Sequence, residues 1–211
     1  MGFTNGRQVM ERERESGADP VILIVPGWSG SGPSHWQTIW EREHPEYRRV
    51  EQRNWHNVYR PEWVAGLEQA VLAVPEDVLL VAHSLGCLAV AWWAATPGCA
   101  WRRVEGAMLV APPDLPSSPG CLPALASFTP VPRNPLRFPS VLVASRNDPY
   151  ATFDAAADLA AAWGSTLIDA GVAGHINVDS GHGPWPAGHL HLERLLSGVR
   201  QREKAAASFF G

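Results

Sequence analysis

Short apolar runs alternate along this chain with longer stretches in which apolar residues recur every three or four positions. The runs are rich in aliphatic and β-branched residues, and most end in a turn, which is typical of strands buried on both faces. The pattern predicts six strands, the second of them weakly: Val21–Val25, Tyr47–Glu51, Val78–Ala82, Val104–Ala111, Ser140–Ser145 and Ser165–Asp169.

The stretches between the runs predict helices at Ser34–Glu43, Glu62–Val74, Leu85–Ala95, Thr152–Trp163 and Ala187–Val199, with Ser34 as an N-cap. Strands that alternate with helices favour a single α/β domain, in which a mainly parallel six-stranded sheet is flanked by helices. We place this domain at 20–200, after a loose polar arm at 1–19 and before a tail at 201–211. A proline-rich irregular loop spans 112–138, with a helical turn near Pro123–Phe128.

Composition narrows the range of partners. The 211 residues carry a formal net charge of -4, and the basic residues form no block, which disfavours binding to nucleic acid or to an anionic membrane surface. No apolar run is long enough to span a bilayer, and residues 1–19 lack the apolar core of a signal peptide. Three cysteines without paired spacing predict neither a disulfide scaffold nor a zinc site and favour the cytoplasm: Cys87, Cys99 and Cys121.

The segment Ala82-His83-Ser84-Leu85-Gly86 follows a buried strand and opens a helix. It has the small-x-Ser-x-small form of a nucleophile elbow, in which small residues relieve crowding around a sharp turn. The helix N-terminus would direct partial positive charge at a developing oxyanion. We predict Ser84 as a nucleophile; the alternative is a serine that only caps the helix.

A serine hydroxyl needs a base and an acid to become a nucleophile, and at an elbow of this type they follow in the order serine, acid, histidine. Asp148 comes directly after the strand at 140–145 and is the predicted acid, with Asp169 as its rival. His175 lies in a Gly-flanked turn after the last strand and is the predicted base, with His182 as its rival. The other histidines precede the serine, lie within the elbow or fall on the closing helix.

An oxyanion hole requires two backbone N–H groups. One is expected from Leu85, directly after the nucleophile, and the other from Trp28 in the Gly-rich loop after the first strand. The same loop lacks the spacing of a phosphate-binding motif, and no metal-ligand motif or cofactor signature is present in the chain.

Four segments together resemble the small serine hydrolases related to retinoblastoma-binding protein 9, within the α/β-hydrolase superfamily. They are 25–37, 82–86, 145–149 and 173–186. The resemblance implies a shortened α/β-hydrolase without the two usual leading antiparallel strands, a triad of Ser84, Asp148 and His175, and activity on small esters. The animal member's Leu-x-Cys-x-Glu motif is absent, and Pro26 stands where many α/β-hydrolases carry histidine.

We therefore expect a cytoplasmic serine hydrolase without a cofactor that cleaves small carboxylic esters through an acyl-enzyme. Trp28 and Trp185 are predicted pocket walls, and His182 is a predicted residue of the pocket rim. Two alternatives use the same residues. One is a thioesterase or amidase with the same triad, and the other is a non-catalytic interaction protein on a hydrolase scaffold.

Overall fold

One parallel sheet forms the centre of the protein. The computed structural model describes residues 19–115 and 123–210, so most of the predicted N-terminal arm lies outside the described residues. All five neighbouring strand pairs are parallel, which confirms the predicted α/β architecture. The strands are β1 (Val21–Val25), β2 (Arg48–Arg49), β3 (Val78–His83), β4 (Val104–Val110), β5 (Ser140–Ala144) and β6 (Thr166–Asp169).

Five α-helices flank the sheet: α1 (Trp36–Glu43), α2 (Arg60–Ala73), α3 (Leu85–Ala95), α4 (Phe153–Trp163) and α5 (Pro186–Phe210). The N-cap of α1 is His35 and not the predicted Ser34, because the Gln37 N–H donates to His35 Nδ1 at 3.2 Å. The helix α5 continues through the predicted tail. The predicted helical turn is a 3-10 helix at Pro123–Phe128. None of the described helices combines the length and apolar character needed to cross a bilayer.

The two faces of the sheet bury separate cores because alternate strand residues point to opposite sides. Leu23 and Leu80 face the side that is covered by α2, α3 and α4. Ile24 and Val81 face the other side, where Trp36 and Trp40 of α1 and the apolar stripe of α5 cover the sheet. The sheet is thus buried on both faces, as expected for strands without polar alternation.

The strand order β2-β1-β3-β4-β5-β6 places a switch point between β1 and β3. From β1 the chain moves outward to β2, and it then returns to build the rest of the sheet on the other side of β1. Loops that leave β1 and β3 therefore diverge, and a crevice opens at the carboxyl ends of these strands. Both predicted oxyanion amides and the predicted nucleophile come from these two loops.

Candidate active site

Ser84 occupies the sharp turn between β3 and α3. Its φ of 53° and ψ of −125° form a backbone conformation that residues with a side chain adopt rarely and at an energetic cost. The turn is held by the Ser84 N–H, which donates to the Val110 carbonyl oxygen at 2.9 Å. A methyl group on Gly86 would overlap the Val25 carbonyl, and one on Gly27 would lie 2.8 Å from Ser84 Cβ. Crowding therefore explains the small residues of the elbow and of the β1 loop.

Three side chains at the carboxyl end of the sheet form one hydrogen-bonded chain. His175 Nε2 lies 2.9 Å from Ser84 Oγ, and His175 Nδ1 lies 2.9 and 3.0 Å from the two carboxylate oxygens of Asp148. The side chains of His175 and Asp148 are 8% and 3% exposed, so water competes little for these bonds. A carboxylate beside Nδ1 keeps the proton there, and the Nε2 lone pair then faces the hydroxyl. Such an arrangement can deprotonate the hydroxyl as its oxygen attacks an electrophile.

Side chains after β5 fasten the loop that carries the histidine. Ser145 Oγ accepts a hydrogen bond from the Ala173 N–H at 3.0 Å, and Asn147 Oδ1 accepts one from the Gly174 N–H at 2.7 Å. Gly174 has a φ of 56°, and a methyl group there would overlap Ser180, so only glycine fits. Ser145 and Asn147 were not predicted as site residues, although polar residues directly after a buried strand are a usable signal.

Two further histidines lie behind the base. His83 Nε2 lies 3.0 Å from the His175 carbonyl oxygen and must donate to it, since a carbonyl can only accept. The ring centroids of His35 and His83 are 4.8 Å apart. Burial, and then the charge of Arg49 and of the neighbouring His175, lowers the pKa of His35 to about 4. Burial also lowers the pKa of His83 well below its usual value, so both rings are neutral near pH 7.

Neither of these histidines was predicted as a site residue, because His35 precedes the serine and His83 lies within the elbow. Their contacts span 48 and 92 positions of the chain, and no local pattern reports such distances. The structure thus adds His83 to the surroundings of the candidate base as a residue that holds its backbone.

One predicted oxyanion donor, Leu85, lies within the elbow, and the other, Trp28, lies in the loop after β1. Leu85 is the first residue of α3, and Gly27, directly before Trp28, contacts Ser84. Among the hydrogen bonds of the described residues, neither the Leu85 nor the Trp28 N–H has an acceptor. The next amide, that of Ser29, is instead used within the fold and donates to the Trp55 carbonyl oxygen at 2.9 Å. Neither predicted amide is therefore used by a hydrogen bond within the described part of the fold.

The rival acid and base are engaged elsewhere. The Asp169 carboxylate accepts hydrogen bonds from Arg146 at 2.8 and 2.5 Å and from the Gly171 N–H at 2.8 Å. The Arg146 hydrogen bonds lower the pKa of Asp169. The ring of His182 contacts the Ser180 hydroxyl through Nδ1 at 3.2 Å. The structure therefore joins Asp148 and His175 to Ser84 and leaves both rivals outside this chain of hydrogen bonds.

The predicted pocket walls differ in their surroundings. Trp185 is 8% exposed, and its ring packs against those of Trp36 and Trp40 at centroid distances of 4.9 and 6.0 Å. Trp185, directly before α5, therefore belongs to the core beside the aromatic residues of α1, and its role as a pocket wall stays a prediction. His182 is half-buried against Trp185, at a centroid distance of 6.2 Å.

Two exposed aromatic residues lie on the loops that follow β1 and β5. Trp28 is 40% exposed, and its indole N–H donates to the His56 carbonyl oxygen at 3.0 Å. Tyr150 is 59% exposed, and its ring meets the His175 ring edge-on at a centroid distance of 4.6 Å. Tyr150 was not predicted as a site residue, although it follows the predicted acid by two positions. The two rings offer apolar surface on the loops after β1 and β5.

The described residues bring together no three His, Cys, Asp or Glu side chains that could hold a metal ion. The nearest thiol in sequence is Cys87, which is buried in α3 and donates to the Val110 carbonyl oxygen at 3.4 Å. Burial raises the pKa of this thiol far above its usual value, so it stays protonated and unreactive near neutral pH.

The serine hydrolase family profile matches residues 22–194. This chain belongs to that family. It is 33% identical to a protein described as a YdeN-like hydrolase from Pectobacterium atrosepticum, over 86% of this chain and 92% of that one, with a TM-score of 0.75. The ydeN gene product of Bacillus subtilis is 21% identical over 84% and 99%, with a TM-score of 0.68. No curated protein matches.

A third similar structure, esterase 2 of Thermogutta terrifontis, shares the fold at 17% identity over 87% of this chain and 85% of that one, with a TM-score of 0.65. The family assignment agrees with the resemblance to small serine hydrolases noted in the sequence. The protein is therefore a serine hydrolase with the α/β-hydrolase fold, as predicted, and an enzyme rather than a scaffold without activity.

Proposed function

We propose that this serine hydrolase cleaves small carboxylic esters through an acyl-enzyme formed on Ser84. The observation that supports the proposal best is the continuous hydrogen-bonded chain from Asp148 through His175 to Ser84 Oγ, with distances of 2.9 to 3.0 Å. Among the described residues, no other charged side chain forms an ion pair with His175 or Asp148.

In the first half of the reaction, Ser84 Oγ attacks the ester carbonyl carbon while His175 Nε2 accepts the hydroxyl proton. Asp148 holds the Nδ1 proton and stabilises the imidazolium that forms. The tetrahedral intermediate collapses as the C–O bond to the alcohol breaks, and His175 returns its proton to the departing oxygen. In the second half, water replaces the alcohol, His175 accepts its proton, and the carboxylic acid leaves as Ser84 is restored.

The negative charge that develops on the carbonyl oxygen needs donors that are already in place. The N–H groups of Leu85 and Trp28 fill this role in the proposal, because neither has another acceptor among the described residues. The strained backbone at Ser84 presents the hydroxyl next to the N-terminus of α3, where the helix dipole adds to the stabilisation.

Short acyl esters are the substrates that the surroundings favour. The exposed ring of Tyr150 offers apolar surface beside His175, and the exposed ring of Trp28 offers it on the loop after β1. The fold is shared with the Thermogutta esterase, one of whose structures holds butyrate. A butyrate ester with a chromogenic alcohol is therefore the first substrate to assay.

Labelling with a fluorophosphonate, followed by mapping of the modified peptide, tests the proposal. We expect modification of Ser84 alone and a loss of roughly 10⁶ in kcat for Ser84→Ala. Cys87→Ala is the matched control, three positions away in the same helix, and should retain both labelling and turnover because its thiol is buried and protonated.

A panel of one acyl group presented as an ester, a thioester and an anilide separates the three leaving groups. Hydrolysis of the thioester or the anilide in preference to the ester would replace the proposed substrate class while leaving the serine chemistry intact. Purified protein in which Ser84 stays unlabelled and no acyl substrate is turned over would contradict the proposal altogether.

A further inference from the structure

Gln37 is a fully buried polar residue whose side chain reaches both strands at the switch point. Its Nε2 lies 3.0 Å from the Val81 carbonyl oxygen and, more weakly, 3.4 Å from that of Val25. Its Oε1 lies 2.5 Å from Ser31 Oγ. Carbonyl oxygens can only accept, so the amide nitrogen must face the strands and the Ser31 hydroxyl must donate to Oε1. Every polar atom of this buried amide therefore has a partner.

The partners of Gln37 are the ends of the loop that carries the proposed oxyanion donor. Val25 is the last residue of β1 and pairs with Ala82, two residues before the nucleophile. Ser31 lies six positions after Val25, on the far side of Trp28. One side chain thus joins the start of the loop, its end and the strand that leads to Ser84.

A second layer of bonds holds Ser31 from outside. The Ser31 carbonyl oxygen accepts hydrogen bonds from Thr38 Oγ1 at 2.6 Å and from Arg49 Nη1 at 3.3 Å. Arg49 is itself fixed by the carboxylate of Glu41, with Nε at 3.0 Å from each oxygen. Ser31, at the end of the loop, is therefore held through its hydroxyl and its carbonyl by residues of α1 and β2.

The loop needs such support because its glycines allow the backbone to adopt several conformations. Ser29 and Gly30 have φ values of 67° and 69°, and the segment from Gly27 to Gly32 contains three glycines. Oxyanion stabilisation depends on donors that do not have to reorganise when charge develops, and a displacement of the order of 1 Å can cost about 10² in rate.

We propose that Gln37 is a positioning residue that sets the place of the Trp28 amide relative to Ser84. This inference rests on the proposed function, in which that amide holds the oxyanion. Many α/β-hydrolases carry a histidine at the position of Pro26. In this chain the hydrogen bonds of Gln37 would support the loop instead. Gln37 does not touch the reacting atoms; it acts through the loop.

The test compares Gln37→Met with Gln52→Met in the full-length protein. Methionine is close to glutamine in length and volume but cannot reproduce these hydrogen bonds. Gln52 is the matched control because it is also a buried glutamine, and its Nε2 donates to the Trp63 carbonyl oxygen of α2 at 3.3 Å, outside the oxyanion loop. Rates on a butyrate ester are divided by the concentration of active sites, titrated with the phosphonate.

For Gln37→Met we expect kcat per active site to fall roughly ten- to hundredfold while KM changes by less than about threefold. The pH dependence of kcat/KM should keep its shape, because the contacts of Asp148 and His175 are untouched. Affinity for a trifluoromethyl ketone, whose serine adduct carries an oxyanion, should fall with kcat. Gln52→Met should keep kcat within about twofold, because its contact lies outside the oxyanion loop. A purely structural role for Gln37 would lower the stability of Gln37→Met and leave its kcat per active site as high as that of Gln52→Met.

Ser31→Ala is a milder second variant, suited to the case in which Gln37→Met does not fold. It removes the only hydroxyl that donates to Gln37 Oε1 among the described residues. We expect kcat to fall roughly three- to tenfold at unchanged KM. Unaltered kcat per active site in the folded variants overturns this inference alone. A wild-type protein without Ser84-dependent turnover overturns the proposed function, and this inference with it.

Discussion

The histidine–carboxylate pairs His175–Asp148 and His189–Glu193 look alike as residue types and differ in their settings. In the pair His175–Asp148, Nδ1 contacts both carboxylate oxygens, at 2.9 and 3.0 Å, and the side chains are 8% and 3% exposed. In the pair His189–Glu193, Nδ1 contacts one oxygen at 3.3 Å, and the side chains are 26% and 58% exposed. A shielded carboxylate orients its histidine, whereas an exposed one on a helix surface contributes little.

The two pairs differ most in the surroundings of the second ring nitrogen, Nε2. His175 Nε2 faces Ser84 Oγ at 2.9 Å. His189 Nε2 is buried and has no hydrogen-bond partner among the described residues, and its ring packs against Trp40 and His44 at centroid distances of 5.0 Å. A histidine beside a carboxylate therefore becomes a candidate base only where a hydroxyl meets its second nitrogen. The predictions below test this difference, beginning with the largest effect.

Removal of each ring should separate the two pairs completely. We expect His175→Ala to lower kcat on a short ester by roughly 10⁶, since the proton acceptor is lost, and His189→Ala to leave kcat within about twofold. His182→Ala should also keep most of its kcat, because its ring contacts Ser180 and not Ser84. Steady-state kinetics with the folded variants, checked by circular dichroism, give the answer. An inactive His182→Ala beside an active His175→Ala would move the base to His182.

Removal of each carboxylate charge should have a smaller but still unequal effect. We expect Asp148→Asn to cost roughly 10⁴ in kcat, because an amide beside Nδ1 favours the wrong histidine tautomer. Glu193→Gln should leave kcat unchanged. Asp169→Asn breaks the contact with Arg146 and should affect activity only slightly. The same kinetic assay decides, and the assignment of the acid is wrong if Asp169→Asn proves damaging and Asp148→Asn mild.

The hydrogen bond from His83 to the backbone of His175 should have a smaller effect on kcat than the pair itself. His83→Phe keeps a ring of similar size but removes the donor to the His175 carbonyl oxygen. We expect kcat to fall by about tenfold as the base shifts, and stability to fall by about 1–3 kcal/mol because a buried carbonyl is left unpaired. Turnover and urea denaturation of the variant measure both effects. No buried donor supports His189 in this way among the described residues, so the same change there should leave kcat unaltered.

Acid should destabilise the protein through the buried histidines His35 and His83. Because the pKa of His35 is lowered from 6.5 to about 4, the unfolded chain binds a proton in this range that the folded protein does not. The contribution is therefore fully present above pH 6.5 and is lost as pH falls toward 4. We expect a slope of up to about 1.4 kcal/mol per pH unit from this residue, with His83 acting in the same direction.

Urea denaturation followed by tryptophan fluorescence between pH 4 and 7 measures this slope. His35→Asn is the informative variant, because asparagine keeps an acceptor at the N-cap of α1 but does not titrate in this range. We expect the variant to have a shallower pH dependence of the free energy of unfolding. An unchanged slope would show that His35 is not the group that resists protonation.

The serine, its turn and the sheet could be predicted from the sequence because they depend on neighbours in the chain. The apolar run before Ala82 predicts a strand buried on both faces, and the small residues around Ser84 predict a sharp turn; the structure has β3, the turn and α3 in these positions. The backbone at Ser84 is strained in the way that such a turn requires. Steric and periodic constraints of this kind act over a few residues, so the local sequence contains them.

Other features followed from packing that no short segment contains. The N-cap of α1 is His35 rather than Ser34, α5 extends to Phe210, and Trp185 is in the core. The hydrogen bond from Gln37 to Val81 and the hydrogen bond from His83 to His175 join elements far apart in the chain. The sequence shows these residues as polar, but burial alone makes their hydrogen bonds obligatory.

The choice between two aspartates, and that between two histidines, separates what the sequence determines from what the tertiary structure decides. Asp148 follows one strand and Asp169 ends the next, and His175 and His182 both follow the last strand, so local sequence alone allowed either member of each pair. The sequence by itself determined which residue types arrive at the carboxyl edge of the sheet, because strand ends and turns are local. Only the tertiary structure decided which of them meet: Arg146 binds Asp169, Ser180 contacts His182, and Asp148 and His175 are left to face Ser84 across adjacent loops.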